Sequence, residues 1–284
     1  LGLVTLFSGC APSDESAATD APLRLQTDWY AQPETGGFFH AKARGFYGDE
    51  GLNVEVVPST PGMINTQIVA SGNAQFGITR IDDIILANDR GMELIAVSVY
   101  MRRSPIALMA HPENPAETLA DFDGQTVMIT PGKPHHLWLE RHFGIDINDI
   151  PHNFSTARFL SDPDQTFTQQ VYITNEPYHV TRELGYEPRL FPLFESGFET
   201  FLALYTTKAF AESNPEAVRG VVRASARGWR DYLTGDPSAG NELIVARSDK
   251  YHPEYLAWTL DQLRNYHLVD GDVGFDGEFY RIPE

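Results

Sequence analysis

Apolar positions along this chain recur with two periods, and the two periods alternate. Residues 23–27, "LRLQT", put an apolar side chain at every second position, as a strand with one buried face requires. Residues 36–47, "GGFFHAKARGFY", then carry a helical apolar period behind two glycines. "LNVEVV" (52–57) reads as a strand, followed by a helix over 63–70, the strand "AQFGIT", a helix over 81–88 and the strand "ELIAVSVY". A second series repeats the scheme with strand "IALMAH", turn "DFDG", strand "TVMIT", a helix from about His135, strand "QQVYIT" and a helix after Pro177. Repeated strand–helix units predict an α/β fold, a parallel-dominated sheet with helices on both faces. Farther on, "SNPEAVRGVVRASARGWRDYL" predicts a scaffold helix with Asn214 as N-cap and Pro215 at its first position. Val218, Val221, Val222, Ser225, Trp229 and Tyr232 fall on its one apolar face.

Composition narrows the class. The 284 residues are 42% hydrophobic, enough to bury one large core or two medium ones. A net charge of -18 makes a surface that repels phosphate backbones, so nucleic acid is not an expected partner. The only cysteine, Cys10, permits no internal disulfide, and no Cys/His spacing suits zinc. Its flanks carry more information: nine mostly apolar residues precede it, too few to span a bilayer, and the polar run "APSDESAATDAP" follows. "LFSGC" resembles a bacterial lipobox, in which the cysteine receives lipid. Residues 1–9 are then the remnant of a signal peptide, Cys10 the lipidation site, and 10–22 a tether. The expected address is the periplasm or cell surface, with membrane contact through the lipid anchor only.

Catalytic motifs are missing: there is no GxSxG, HExxH, phosphate-cradling glycine loop or GxGxxG after a strand. His135, His136 and His142 share one predicted helix but lack the i, i+4 step of a metal pair, so neither a metal nor a cofactor is expected. Asp82 and Asp83 diverge on their helix and suit its N-terminal dipole. Binding chemistry is better represented. Thr-Pro-Gly occurs twice, at 60–62 and 130–132, each time between a strand and a helix, where open α/β sheets bind ligands. "TDWYAQPETGGFF" sets Asp28, Trp29 and Tyr30 just past the first strand, and "YITNEPYH" does the same with Asn175, Glu176 and Tyr178. Flat apolar faces beside a few directed polar groups suit a small planar polar ligand.

At "DWYAQPETGGFFHAKARGFYGDEGLNVEVVP", "QIVASGNAQFGI", "DFDGQTVMITPG", "TNEPY" and "NPEAVRGVVRASARGWRDYL" the chain resembles the solute-binding proteins of ABC importers that take thiamine-precursor pyrimidines, the ThiY-like group. That group lies within a wider superfamily of sulfonate, taurine and nitrate binders and shares its fold with fungal pyrimidine synthases. The resemblance implies a type II periplasmic-binding-protein fold: two α/β lobes joined by a two-segment hinge, lobe I being 23–104 plus 200–284 and lobe II 105–199. It further implies a monomer that captures a small-molecule ligand between the lobes and delivers it to an ABC transporter permease. The ligand-binding candidates are Asp28, Trp29, Tyr30, Gly36, Thr60, Gly62, Arg80, Asp82, Thr130, Gly132, His135, Asn175, Glu176 and Tyr178. Two other readings stand beside the pyrimidine. A small anion such as a sulfonate or nitrate would use the Thr-Pro-Gly turns with Arg80 or Arg102. An enzyme like the fungal synthases, which carry a cysteine-rich motif, would have to manage with no cysteine after Cys10.

Overall fold

The computed structural model describes residues 21–60, 62–198, 200–248, 251–271 and 274. Cys10, the signal remnant 1–9 and the tether up to residue 20 lie outside the described residues. Among the described residues ten strands build two five-stranded sheets. The first contains β1 (Leu23–Gln26), β2 (Val54–Val57), β3 (Phe76–Arg80), β4 (Leu94–Met101) and, from much later in the chain, β10 (Leu202–Thr207), in the order β2-β1-β3-β10-β4. The second contains β5 (Ile106–Ala110), β6 (Thr126–Ile129), β7 (Asn148–Pro151), β8 (Thr168–Tyr172) and β9 (Arg189–Pro192), in the order β7-β6-β8-β5-β9.

In each sheet four strands run one way and one runs against them: β10 pairs antiparallel with β3 and β4, and β5 pairs antiparallel with β8 and β9. Strand direction is thus parallel-dominated as expected, with one reversed strand in each sheet, and the cause of the reversal is the connection. β5 and β10 are the strands at which the chain arrives from the other sheet. β10 enters with Leu202 opposite Arg80 and Met101, the last residues of β3 and β4. β5 enters with Ile106 opposite Tyr172 and Ala107 opposite Pro192, the last residues of β8 and β9. A strand that arrives at the carboxyl edge must run away from it. Only residues 102–105 join β4 to β5, and four residues reach about 14 Å at most. The carboxyl edges of the two sheets are thereby held face to face.

Two edge strands escaped the sequence pattern. β7, "NDIP", is mostly polar and largely exposed, and β9, "RLFP", ends in proline; both pair on one side only, where polar residues and proline cost no core contact. The helix expected from residue 63 begins at Asn65. The scaffold helix, Pro215–Thr234, buries Val221, Val222, Ser225, Trp229 and Tyr232 as its period predicts. Asn214 does not cap it through its side chain, which instead donates to the Phe210 carbonyl, 3.3 Å away, at the end of the preceding helix Lys208–Ser213. Packing of this helix on Gly36–Ala43 is backbone-close. A Cβ on Gly228 would lie 2.4 Å from the Gly37 carbonyl oxygen, and one on Gly37 would lie 2.2 Å from the Trp229 ring. Phe38 packs edge-on against Tyr100 and Trp229, with ring centroids 5.0 and 5.8 Å away. The segment before Gly36 is thus clamped to the first sheet beside its carboxyl edge.

Candidate functional site between the sheet edges

Residues that leave the carboxyl edges of the strands meet in the space between the sheets. Past β1 come Asp28, Trp29 and Tyr30. Thr27 fixes this turn: its hydroxyl donates to the Trp29 carbonyl (2.6 Å), and the Ser59 N–H donates to the same oxygen (2.9 Å). Trp29 meets Tyr30 edge-on at 5.4 Å and reaches across to Phe154 of the second sheet's side, 5.9 Å between ring centroids. Phe154 is 72% exposed with a left-handed backbone (φ 59), an uncommon conformation for an aromatic residue. At the end of β3, Arg80 directs Nε to Asp82 (3.2 Å) and Nη2 to Asp83 (3.3 Å), both in the first turn of the helix Ile81–Asp89. Asp83 also faces Lys133 across the gap at 3.6 Å.

From the second sheet, β8 ends at Tyr172 and the chain turns through Thr174 and Asn175 into the helix Glu176–Leu184. Glu176 accepts a hydrogen bond from the Tyr172 N–H at 2.8 Å, which holds one carboxylate oxygen at the helix start. Asn175 accepts from the Tyr255 hydroxyl (3.1 Å) and the Thr174 carbonyl from the Thr259 hydroxyl (3.1 Å). These bonds tie the second sheet's loop to the helix Pro253–Asn265.

Three carboxyl groups share this space. Burial pushes Asp28 up to about 6, although Arg80 opposes the shift. Burial pushes Glu176 up to about 7 against the pull of the Tyr172 N–H. Glu34, which the sequence did not single out, is also pushed up to about 7, by burial and by its neighbours Glu176 and Asp28. It is 5% exposed, and neither of its carboxylate oxygens has a hydrogen-bond partner. Tyr172, pushed up to about 12 chiefly by burial, lies between Arg80 and the acids. Asp28, Tyr172 and Glu176 are shifted as deeply buried groups are, yet each keeps part of its surface accessible. Side chains surrounded by protein but still accessible line an enclosed space. A cavity of about 550 Å³, lined by Asn114, Gln125, Thr126, Arg158 and Asp162, lies at the start of β6 and the approach to β8. It belongs to one sheet alone, at the edge opposite the carboxyl groups.

The other candidates are placed differently. Thr60 and Gly62 are exposed, and the six-residue helix Asn65–Ala70 begins three positions beyond Gly62. The Thr130 N–H donates to Gln170 Oε1 (3.1 Å) and the Gly132 N–H to His136 Nδ1 (3.1 Å), so that turn spends both donors within the fold. His135 is 2% exposed and pushed down to about 4 by burial; its Nε2 lies 2.8 Å from Gln170 Oε1, an acceptor, so the neutral ring donates from Nε2. Gly36 makes room for the Tyr232 ring, 2.3 Å from where its Cβ would stand. Tyr178 packs on Tyr255 and Trp258 at 5.1 and 5.3 Å, inside the joint between the second sheet's loop and the helix Pro253–Asn265. Asp28, Trp29, Tyr30, Arg80, Asp82 and Glu176 are brought together; Thr60, Gly62, Thr130, Gly132, Gly36, His135 and Tyr178 serve turns and packing. Glu34, Tyr172 and Phe154 were not anticipated. For Phe154 one signal existed, an aromatic residue in the otherwise polar "PHNFST".

Comparison with known proteins adds a family to this geometry. The model of the family described as "NMT1/THI5 like" matches residues 32–239. The chain is similar to the formylaminopyrimidine-binding protein of Halalkalibacterium halodurans, 23% identical over 93% of this chain and 84% of that protein. It is also similar to a 4-amino-5-hydroxymethyl-2-methylpyrimidine phosphate synthase of Legionella pneumophila, 24% identical over 78% of this chain and 72% of the other. Among solved structures it overlays on the periplasmic aliphatic sulphonate-binding protein SsuA of Escherichia coli with a TM-score of 0.62, at 17% identity, covering 89% of this chain and 95% of that one. The fold is that of the periplasmic binding proteins.

Proposed function

The chain belongs to the NMT1/THI5-like family, and from that premise we propose that it is the extracytoplasmic solute-binding protein of an ABC importer, capturing an aminopyrimidine-like heteroaromatic between its two lobes. One observation carries the choice of ligand: among the described residues the cations at the space, Arg80 and Lys133, are already held by Asp82 and Asp83, while the carboxyl groups of Asp28, Glu34 and Glu176 stand beside it. An anion would meet these acids with no uncommitted guanidinium to offset them. A ring bearing amino groups offers donors to the acids and a flat face to Trp29. The second Thr-Pro-Gly turn, whose N–H groups at Thr130 and Gly132 are spent, adds nothing for an anion.

In this reading lobe I comprises 23–104 and 200–284, lobe II comprises 105–199, and the two hinge segments let the lobes close over the ligand before delivery to a permease. The relatives' names support binding, and one of them supports chemistry. Binding without chemistry is favoured here because no cysteine follows Cys10 and the buried His135 is neutral and committed to Gln170. The lipobox-like "LFSGC" supports anchoring at Cys10, and Cys10→Ser should release the protein from the membrane fraction with ligand affinity unchanged.

The deciding experiment is calorimetric titration of wild type and Glu176→Gln with a 4-aminopyrimidine and with an alkanesulfonate. The glutamine keeps an acceptor for the Tyr172 N–H, removes the charge and turns the other oxygen into an NH2 donor at nearly unchanged size. It should cost about 1.5–3 kcal/mol against the aminopyrimidine and leave anion binding unchanged or improved. Wild type that prefers the sulfonate, together with a variant that loses nothing against the pyrimidine, would reverse the assignment.

A further inference from the structure

Glu34 is a group with no structural use for its charge. It sits in the single turn Pro33–Thr35 that starts the helix Gly36–Ala43, and the backbone-close packing of that helix on Trp229 and Tyr232 fixes where it points. Its two carboxylate oxygens are buried and unpartnered, and among the described residues no ion pair reaches it. The groups that weigh on it come from both sheets: Asp28 beyond β1, Thr174 and Glu176 beyond β8, and the phenols Tyr100, Tyr232, Tyr251 and Tyr255. The Thr174 hydroxyl stands beside it and eases its charge a little, without closing a well-formed hydrogen bond. Three of the phenols are engaged elsewhere, Tyr232 donating to Asn241 (2.7 Å), Tyr255 to Asn175 (3.1 Å) and Tyr251 to Gln32 (3.4 Å). A carboxyl so placed destabilises the empty protein, because buried polar groups are ordinarily paired. The partner it lacks is one that arrives with the ligand.

We propose that Glu34 is the specificity-determining residue of the cleft, meeting the amidine edge of the ligand as a carboxylic acid: its O–H donates to the ring nitrogen and its carbonyl oxygen accepts from the adjacent amino group. The proposal rests on the heteroaromatic reading above and adds to it a division of labour between two acids. Both acids stand at a helix start, but Glu176 has the Tyr172 N–H at 2.8 Å to support a negative charge, whereas Glu34 has only the looser approach of the Thr174 hydroxyl. Glu176 weighs on Glu34 in one buried space, and two such acids do not both ionise readily, so the less supported one keeps the proton. Burial already pushes Glu34 up to about 7, which keeps that proton available near neutral pH. A ring nitrogen without its neighbouring amino group, or an amino group without the nitrogen, meets half of this edge and leaves the other half buried and unpaired.

The test uses the full chain and two probes, 4-amino-2-methylpyrimidine and 2-methylpyrimidine, titrated by calorimetry into wild type, Glu34→Gln and Glu34→Leu. Glutamine presents a fixed N–H donor beside a carbonyl acceptor, the same edge as the neutral acid. It should bind the amino probe within about fivefold of wild type, while leucine should weaken it by about 10- to 100-fold and lose the preference for the amino probe over 2-methylpyrimidine. Wild-type affinity should fall as pH rises above about 7, the acid proton being lost; the part of that slope absent from Glu34→Gln belongs to Glu34, and any remainder to Glu176 and Asp28. Melting temperature separates folding from recognition, because leucine replaces an unpaired buried carboxyl and should melt at or above wild type. Leucine binding the amino probe as tightly as wild type, or glutamine failing as badly as leucine, overturns the role of Glu34 and leaves the heteroaromatic reading standing. Wild type that ignores both pyrimidines and takes an alkanesulfonate overturns both.

Discussion

Trp29 shows how much a single side chain can be asked to do at the cleft. It is half-buried, touches Tyr30 edge-on and meets Phe154 from the other side at a 38° tilt, so its ring is held by neighbours without being part of the core. Stacking of a flat heterocycle on such a ring is worth about 1–3 kcal/mol. Trp29→Ala should therefore weaken ligand binding by roughly ten- to a hundredfold and shift the unfolding midpoint little; a variant that lost stability but kept its affinity per folded molecule would show Trp29 to be core. At this scale the sequence was partly legible. "TDWY" and "TNEP" advertise Asp28, Trp29 and Glu176 because each follows a strand. Glu34 did not stand out, since a lone glutamate in "QPET" reads as an exposed turn residue. Its burial depends on Thr174 and Glu176, some 140 positions away in the chain.

Among the elements, the contact of the helices Gly36–Ala43 and Pro215–Thr234 carries the first sheet's side of the site. Gly228 is helical and would gain about 1 kcal/mol of propensity as alanine in an open helix. Here the added methyl would stand 2.4 Å from the Gly37 carbonyl oxygen and 2.5 Å from Ala41 Cβ. The steric cost prevails: Gly228→Ala should lose roughly 2–4 kcal/mol of stability in chemical denaturation. An unchanged midpoint would mean that the helices can separate without cost. The helical period of 215–234 identified the buried face correctly; no local signal told which helix would press on Gly228. The edge strand β7 was invisible for the opposite reason, since one-sided pairing asks little of its side chains, whereas β9 buries Phe191 and Pro192 within a run too short to carry a period.

At the scale of the whole molecule, three acids among the described residues gain proton affinity on folding, Asp28 to about 6 and Glu34 and Glu176 to about 7. Their unfolded values lie near 4, so between about pH 4 and 7 the folded, ligand-free protein binds more protons than the unfolded chain. The stability these groups contribute is complete below about pH 4 and is lost as pH rises through about 6 to 7. Melting of the empty protein should accordingly drop by several degrees between about pH 5 and pH 8, and Glu34→Gln should flatten part of the drop. A saturating aminopyrimidine that holds Glu34 protonated should keep or steepen the share of the drop that belongs to Glu34. Melting that stays level or rises across this range in the empty protein contradicts the burial of the three acids.

Alternating periods, the Pro215 start and the strand-end motifs determined the α/β class, the elements and half of the cleft, because those features are set by neighbours within a few residues. The reversal of β5 and β10, the commitment of Arg80 to Asp82 and Asp83, the spent N–H groups of Thr130 and Gly132, and the bare carboxyl of Glu34 were decided only in the folded molecule. The chain crosses twice between the sheets and holds their carboxyl edges face to face. Burial, and with it the charge state of every acid in the gap, depends on what stands on the opposite edge.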